Sequence, residues 1–268
     1  MTFLQHKLDR NYKWWYILKF AFKSNTAYRG NSIMWLLSSI TTMLGLIFVW
    51  YINYFQANNL REFPNIFTYF VIGEAFIFTT AIQYDIGENI LDGKITTKLL
   101  RPTNIFGFYT IHAFGYQLFE NLARVLIYSS ISIILYKYII FAGSVGLVYF
   151  LIASFIALIL NFLFGIITGL SAFWLTAYFG SAQFLYDIKV IFSGRFFPLN
   201  LLPLGFSNIL FLPFAYTFYH PTQIYLGKYS EAQIIQTYVG GIFWCIVLWI
   251  MARLVFKAGL KKNEAVGL

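Results

Sequence analysis

Long stretches without charge are the feature that most constrains this chain. Residues 138–186 contain no Asp, Glu, Lys or Arg over 49 positions, and residues 30–60 contain none either. A helix on a soluble protein keeps one polar face, whereas a helix that crosses the hydrocarbon core of a bilayer needs about 20 mostly apolar residues. These stretches predict an all-α polytopic membrane protein.

The composition agrees with this prediction. Of the 268 residues, 59% are hydrophobic and 11% are charged, whereas an average soluble domain has about 25% charged residues. The net charge of +9 favours contact with anionic lipid over nucleic-acid binding, because membrane proteins concentrate Lys and Arg at the cytoplasmic face. The charged, aromatic N-terminus predicts no cleavable signal peptide, and the single Cys245 excludes a disulfide within the chain.

The hydropathy pattern predicts a cytoplasmic N-terminal segment (residues 1–30) and one transmembrane domain (residues 31–268). In the first, apolar residues at helical spacing lie opposite basic ones, which is typical of an amphipathic helix at the membrane surface. Its candidate interfacial residues are Trp14, Trp15, Lys19 and Lys23. The second is expected to hold six transmembrane helices, at about residues 32–54, 66–84, 118–136, 145–170, 181–197 and 233–252.

Basic residues are distributed unequally between the two sides that six spans would define. Thirteen lie in the N-terminal segment, the loop after the second span and the C-terminal tail, but only Arg61, Lys137 and Lys228 lie in loops of the other side. Because cytoplasmic loops are enriched in Lys and Arg, both termini are predicted to be cytoplasmic.

The uncharged segment 196–227, between the fifth and sixth predicted spans, contains four prolines. Proline removes a backbone donor and clashes with the preceding helical turn, so a straight helix is excluded. We expect short re-entrant helices at the outer side, shielded by other protein because lipid does not satisfy broken backbone. An ordinary hydrophobic loop is the alternative. The candidate residues are Phe197, Pro198, Pro203, Pro213, Phe214 and Pro221.

Ionisable residues within predicted spans are candidates for function or for a buried charge. Glu74 lies midway along the second span, where a charge is costly and usually faces a partner or a water-filled cavity. Glu120 and Arg124 are four residues apart, share a helix face and are expected to pair. The three histidines are scattered and no phosphate-binding loop is found, so neither a metal site nor catalysis is predicted.

The loop after the second span, residues 85–101, combines an apolar stripe with flanking charges. Such a pattern predicts a short amphipathic helix that presses into a partner protein or lies on the bilayer. The stripe comprises Ile90, Leu91, Ile95, Leu99 and Leu100. The candidate contact residues are Glu88, Leu91, Asp92, Gly93, Lys94, Arg101 and Pro102.

This order of elements resembles the membrane subunits of type-two ABC transporters, specifically the branch of viologen- and drug-exporter permeases. The resemblance covers essentially the whole chain. The local sequences that carry it are Asp92-Gly93-Lys94 leading to Leu99-Leu100-Arg101-Pro102, Leu170-Ser171-Ala172-Phe173-Trp174, Ser193-Gly194-Arg195-Phe196-Phe197-Pro198-Leu199, and the stretch from Leu212-Pro213-Phe214-Ala215 to Ile224-Tyr225-Leu226-Gly227.

The resemblance implies a non-catalytic permease half in a bacterial inner (plasma) membrane. It would pair with a second permease subunit, identical or sister, and bind a separate ATP-binding subunit. ATP and Mg²⁺ would belong to that partner, and this chain would hold no cofactor. Residues 86–98 would form the coupling helix, the N-terminal helix would also touch the ATPase, and the outer segment would cap the exit path.

Within that reading, Glu74, Glu120 and Arg124 are candidates for the translocation path or for buried charge. An ATP-independent channel or secondary carrier is the alternative, which predicts inverted repeats and helices broken at the midplane. A lipid-acting transferase would require a clustered acid or metal site.

Overall fold

The computed structural model describes residues 14–24, 29–77, 81–99, 105–175 and 177–266, and the regular elements among them are all helical. The helices are α1 (14–24), α2 (Arg29–Gln56), α3 (Phe63–Phe76), α4 (Ile82–Leu91), α5 (Lys94–Leu99), α6 (Ile105–Ile134), α7 (Gly143–Leu170), α8 (Tyr178–Phe192), α9 (Tyr219–Tyr225) and α10 (Glu231–Val266). Short 3₁₀ turns cover Leu60–Glu62, Tyr136–Tyr138, Ser171–Phe173, Leu199–Leu201, Leu204–Phe211 and Ala215–Thr217.

Three helical stretches are long and apolar enough to cross a bilayer: Ile33–Gln56, Gly143–Phe173 and Glu231–Lys262. They correspond to the first, fourth and sixth predicted spans. This confirms an all-helical polytopic membrane protein. The count of six spans stays a prediction.

The other three predicted spans have different boundaries in the structure. The second is divided between α3 and α4, which are separated by residues 77–81. The third lies in α6, which begins at Ile105 rather than near Leu118, and the fifth corresponds to α8, which ends at Phe192 after only 15 residues. A helix of that length rises about 22 Å, less than the roughly 30 Å hydrocarbon core.

Helix α7 is central to the bundle, and α2 and α10 lie at its periphery. Just over half of the α7 span is buried, against 11% for the span of α2 and 17% for that of α10. Helix α7 packs on α10, α4 and α9. The peripheral helices expose large apolar side chains, including Trp35, Phe48 and Val239, which suits contact with lipid or with another subunit.

Two apolar clusters form the ends of the bundle. One joins α4, α5, α6, α7 and α10 around Ile86, Ile95 and Ile166. The other joins α2, α3, α6 and the segment after α8 around Met43, Tyr69 and Phe218.

Candidate functional site

The loop predicted to meet a partner forms an exposed helical tip, residues 88–94, which we call the α4–α5 tip. Helix α4 ends at Leu91, Asp92 caps it, and α5 begins at Lys94. Gly93 turns the chain with φ = +68°, a left-handed conformation that glycine adopts without steric cost. Lys94 Nζ donates to the Asp92 carboxylate at 2.6 Å, which raises the pKa of Lys94.

All five predicted contact residues that the structure describes are exposed at this tip: Glu88, Leu91, Asp92, Gly93 and Lys94. The other two, Arg101 and Pro102, lie outside the described residues. These residues form a surface at the junction of two helices, and its contact with a partner stays a prediction.

The prediction of an exposed apolar stripe is wrong for two of its members. Ile90 is only 7% exposed and Ile95 is fully buried, whereas Leu91 is 44% exposed. The turn at Gly93 breaks the expected single helix in two, and both isoleucines pack into the apolar cluster with Ile82 and Ile86. Their apolar surface is thus satisfied within the chain, which leaves Leu91 as the exposed large apolar side chain among the described stripe positions.

The base of the tip is fixed to two other helices by close packing. The Tyr178 hydroxyl of α8 donates to the Gln83 carbonyl at 2.5 Å, and its ring lies where a Cβ at Gly87 would be. On α7, a Cβ at Gly169 would lie 2.7 Å from Ile86 Cβ. The helix that leads into the tip is therefore packed directly against α7 and α8.

The N-terminal amphipathic helix is present over residues 14–24, and residues 1–13 of the predicted segment lie outside the described residues. Ala21 is fully buried, and the backbone of Leu18 packs against Gly115 of α6. Lys19 and Lys23 are exposed, as predicted for the polar face of this helix. Trp14 is partly buried and Trp15 is exposed, which suits interfacial anchoring.

Glu74 forms a buried ion pair with Arg195 in the interior of the bundle. The Arg195 Nε and Nη2 atoms donate to the two carboxylate oxygens at 2.5 and 2.9 Å. Glu74 is 2% exposed, and the side chain of Arg195 is 12% exposed. A bidentate guanidinium–carboxylate pair is the strongest arrangement available to these groups. Glu74 therefore has the charged partner that its position in an apolar helix requires.

Hydroxyl groups complete the hydrogen bonding of this pair. Ser39 of α2 donates to Glu74 at 3.2 Å and is 3.1 Å from the Tyr128 hydroxyl of α6. Arg195 Nη1 donates to the Tyr186 hydroxyl of α8 at 3.3 Å. The hydrogen-bond network around the pair thus includes α2, α3, α6 and α8, with α6 joined through Ser39.

Arg124, another predicted site residue, lies in the same interior but contacts the backbone. It is 5% exposed, and its Nη1 donates to the Ile77 carbonyl at 3.1 Å, at the break that ends α3. Its Nε is buried without a hydrogen-bond partner among the described residues. Glu120 is also buried, and its pairing with Arg124 stays a prediction.

The proline-containing segment after α8 is packed into the bundle. Tyr69 of α3 donates to the Gly194 carbonyl at 2.6 Å, and the Phe218 ring lies where a Cβ at Gly73 would be. His220 is buried; its Nε2 donates to the Leu210 carbonyl at 2.8 Å and its Nδ1 accepts from Tyr229. Residues 213–225 are therefore mostly buried, whereas Leu201, Phe206 and Phe211 are exposed. Re-entrance of the segment into a membrane stays a prediction.

The prolines stand where helical turns begin or end. Pro198 and Pro203 precede the turns Leu199–Leu201 and Leu204–Phe211, Pro213 follows the second turn, and Pro221 lies in the first turn of α9. Proline is tolerated before or within the first turn of a helix because the N–H there has no partner within the helix. It is common just after a helix because it cannot continue one. Phe214 stacks on Phe164 of α7, with ring centroids 5.2 Å apart; Phe197 is partly buried.

The sequence matches a known protein family over most of its length. The family model described as "ABC-2 family transporter protein" matches residues 33–267. The chain belongs to this family. No curated protein matches it.

Membership in the ABC-2 family confirms the expected permease component of an ABC transporter, a generally non-catalytic membrane protein. It also implies an ATP-binding partner. The viologen and drug-exporter branch stays a prediction. No cluster of three metal-ligating side chains occurs in the part of this ABC-2 chain that the structure describes.

Sequence reasoning missed two interior residues of the ABC-2 protein as site members, Arg195 and Lys189. In the sequence, both are cations within or at the edge of the fifth predicted span. The sequence does contain a signal for them: Glu74, Lys189 and Arg195 lie in otherwise apolar helices, and buried charges usually need partners of opposite charge. The signal indicates that a pair exists but not which cation supplies it.

Proposed function

We propose that this ABC-2 protein is the permease subunit of an exporter and is driven by a separate ATP-binding subunit that seats on the α4–α5 tip. The observation that carries the proposal is the exposure of five consecutive or near-consecutive tip residues on a rigid base. A single exposed leucine between charged residues suits insertion into a groove with a polar rim.

The tip has the mechanical connection that coupling requires. Its base contacts α7 and α8 through Gly169 and Tyr178. Since packed helices move as discrete bodies rather than deforming continuously, displacement of the tip shifts these helices together. Nucleotide-driven movement of the ATPase would reach the interior ion pair by this route, because α8 also carries Tyr186, which contacts Arg195.

A second permease subunit is part of the proposal. Helix α8 exposes Gln183 and Asp187, which bond each other at 2.8 Å, and Gln183 also accepts from Tyr84. Polar groups of this kind are costly against lipid tails. A second copy or a sister subunit that covers α8, with the cargo path between the two, removes that cost.

The membrane orientation follows from the charge distribution. With both termini and the tip in the cytoplasm, the ion pair lies within the membrane and the proline-containing segment lies towards the outside. Phe214 and the turns around it would then cap the exit of the path, which supports export. Lipid contacts would be made by α1, α2 and α10, whose large apolar side chains are exposed.

Site-specific cross-linking in cells tests the proposal. A photo-reactive amino acid replaces Leu91 at the tip, and a matched chain carries it at Leu60, which is similarly exposed in the loop between α2 and α3. We expect an ATP-binding subunit to be captured at position 91 and not at position 60. Purified complexes should then hydrolyse ATP only when both proteins are present.

Two outcomes of the cross-linking experiment would contradict the proposal. Capture of the same ATP-binding subunit at position 60, or none at position 91 in a complex that copurifies with it, would place the coupling surface elsewhere.

A further inference from the structure

A cavity of about 180 Å³ lies between α7 and α8. Its apolar wall includes Phe164, Ile167 and Leu185, Gln83 of α4 lies on its border, and Phe214 of the proline-containing segment closes another side. Pockets that enclose a drug-sized ligand measure about 300–1,000 Å³. The cavity is therefore large enough for one end of a ligand and too small for a whole one.

One cation lines this cavity, the ammonium of Lys189. Its Nζ donates to the Asn161 side-chain oxygen at 2.9 Å and lies 4.8 Å from the centroid of the Tyr186 ring. No carboxylate lies within 4.0 Å of it among the described residues. The Lys189 amine has up to three donors, and the Asn161 oxygen accepts from one of them.

The nearby acids are engaged elsewhere. Glu74 binds Arg195 through both of its oxygens, and Asp187, two residues before Lys189, is exposed and accepts from Gln183. Because residues two apart on a helix do not face each other, Asp187 and Lys189 do not pair.

The position of the ammonium is built into the fold. The Asn161 amide nitrogen donates to the Ala157 carbonyl at 3.0 Å, so its oxygen is the atom directed to Lys189. Tyr186 joins the cavity to the interior ion pair, since its ring borders Lys189 and its hydroxyl accepts from Arg195. The cation is thus held at the wall rather than extended into solvent.

We propose that this cavity binds the anionic end of an amphipathic cargo, a carboxylate or phosphate joined to an apolar body. Lys189 supplies the counter-charge, Phe164 and Phe214 contact the apolar part next to the anion, and the remainder extends out of the cavity. The proposal rests on the proposed transport function and specifies its substrate class. A dicationic cargo such as a viologen would not bind in this cavity, because the Lys189 ammonium would repel it.

Binding of two matched probes tests this site. The full-length chain is placed in phosphatidylcholine nanodiscs and titrated with octyl phosphate or with octyltrimethylammonium, which have equal tails and opposite charges. The variants are Lys189→Met, Lys189→Arg and, as a control, Lys228→Met at an exposed position outside the cavity.

We expect octyl phosphate to bind the unchanged chain and Lys228→Met equally, and Lys189→Met at least about tenfold more weakly, as expected for loss of a charge-assisted contact. Lys189→Arg should keep the preference for the anion. Octyltrimethylammonium should bind no better than its partition into lipid. An unchanged affinity of Lys189→Met for octyl phosphate, or equal binding of the two probes to the cavity, would overturn the proposal.

Two further readouts separate the sources of the anion and exclude misfolding. If the natural ligand is a lipid headgroup, adding phosphatidylglycerol to the nanodiscs weakens octyl phosphate binding; if it is a soluble amphiphile, binding is unchanged, and both results support an anion site. Lys189→Met should still unfold cooperatively in the nanodiscs, because methionine fills similar space and only the hydrogen bond to Asn161 and the contact with the Tyr186 ring are lost. The assay needs no ATP-binding subunit, so its failure would leave the permease assignment intact.

Discussion

Glu74 and Arg195 are 121 positions apart in the chain and form a bidentate ion pair. Arg195 Nε lies 2.5 Å from Glu74 Oε1, and Nη2 lies 2.9 Å from Oε2. The pair joins α3 to the start of the proline-containing segment, just after α8. Tyr69 reinforces the same junction by donating to the Gly194 carbonyl. The junction between α3 and the segment after α8 is therefore held by polar contacts within an apolar surrounding.

Removing one partner of this pair should destabilise the protein strongly. Glu74→Gln leaves the Arg195 guanidinium buried without its counter-charge, and loss of one partner of a buried pair costs about 3–5 kcal/mol. We expect a large drop in the thermal unfolding midpoint in detergent. Glu231→Gln, at an exposed acid, is the control and should change little. The double variant Glu74→Gln/Arg195→Met should recover part of the loss, and a double variant no more stable than Glu74→Gln would contradict this account.

Close packing of α3 on Phe218 should make Gly73 intolerant of a side chain. A Cβ at this position meets the buried Phe218 ring, and such overpacking costs about 1–3 kcal/mol. Gly73→Ala should therefore lower the unfolding midpoint. Gly45→Ala is the matched control in α2, where a Cβ has open space; there the better helix propensity of alanine should leave stability equal or slightly higher. Equal midpoints for the two variants would disprove the predicted clash.

The α4–α5 tip should be sensitive to a charge at its exposed leucine. Leu91→Asp places a carboxylate at a position that must be desolvated in a groove, at a cost of roughly 2–5 kcal/mol. We expect the variant to insert normally and to lose copurification with the ATP-binding subunit or cargo-stimulated ATPase activity. Leu60→Asp, at the exposed loop after α2, should keep both. Normal assembly and stimulated turnover in Leu91→Asp would exclude the tip as the coupling element.

Phe214 should control the outer end of the path. Phe214→Lys removes the stacking on Phe164 and places a charge between α7 and the proline-containing segment. We expect transport to be lost while insertion and ATP hydrolysis are retained, since neither depends on that side. Phe214→Leu keeps an apolar side chain and should preserve most transport. Full transport by Phe214→Lys would remove this residue from the exit cap without affecting the permease assignment.

The orientation can be measured directly by cysteine accessibility. In a Cys245→Ser background, we expect Lys94→Cys to resist a membrane-impermeant thiol reagent in intact cells and Lys228→Cys to react, because thirteen basic residues assign the tip side to the cytoplasm. Both positions are exposed, so burial does not explain a difference. Labelling of Lys94→Cys from outside the cell would show that the tip is not cytoplasmic and would contradict the predicted orientation.

Local chemistry explains why several features could be predicted from the sequence. The charge-free stretches predicted membrane helices, because lipid cannot satisfy polar side chains. Helical spacing of Ala21 and Lys19 predicted the buried and exposed faces of α1. The charges at 88–94 predicted a polar surface, because charged side chains stay in water, but the expected single helix missed the turn at Gly93.

Other features were decided by packing between distant segments. The composition of 85–101 gave no indication that Ile90 and Ile95 would be buried, because that depends on where α5 turns back after Gly93. Likewise, Glu74 required a partner, but only the approach of α3 to the segment after α8 selected Arg195. The same approach left Lys189 with an amide rather than a carboxylate. Hydropathy and spacing act over a few residues and so determined the class and the helices, whereas the partners of each buried charge depend on contacts that exist only once the bundle has formed.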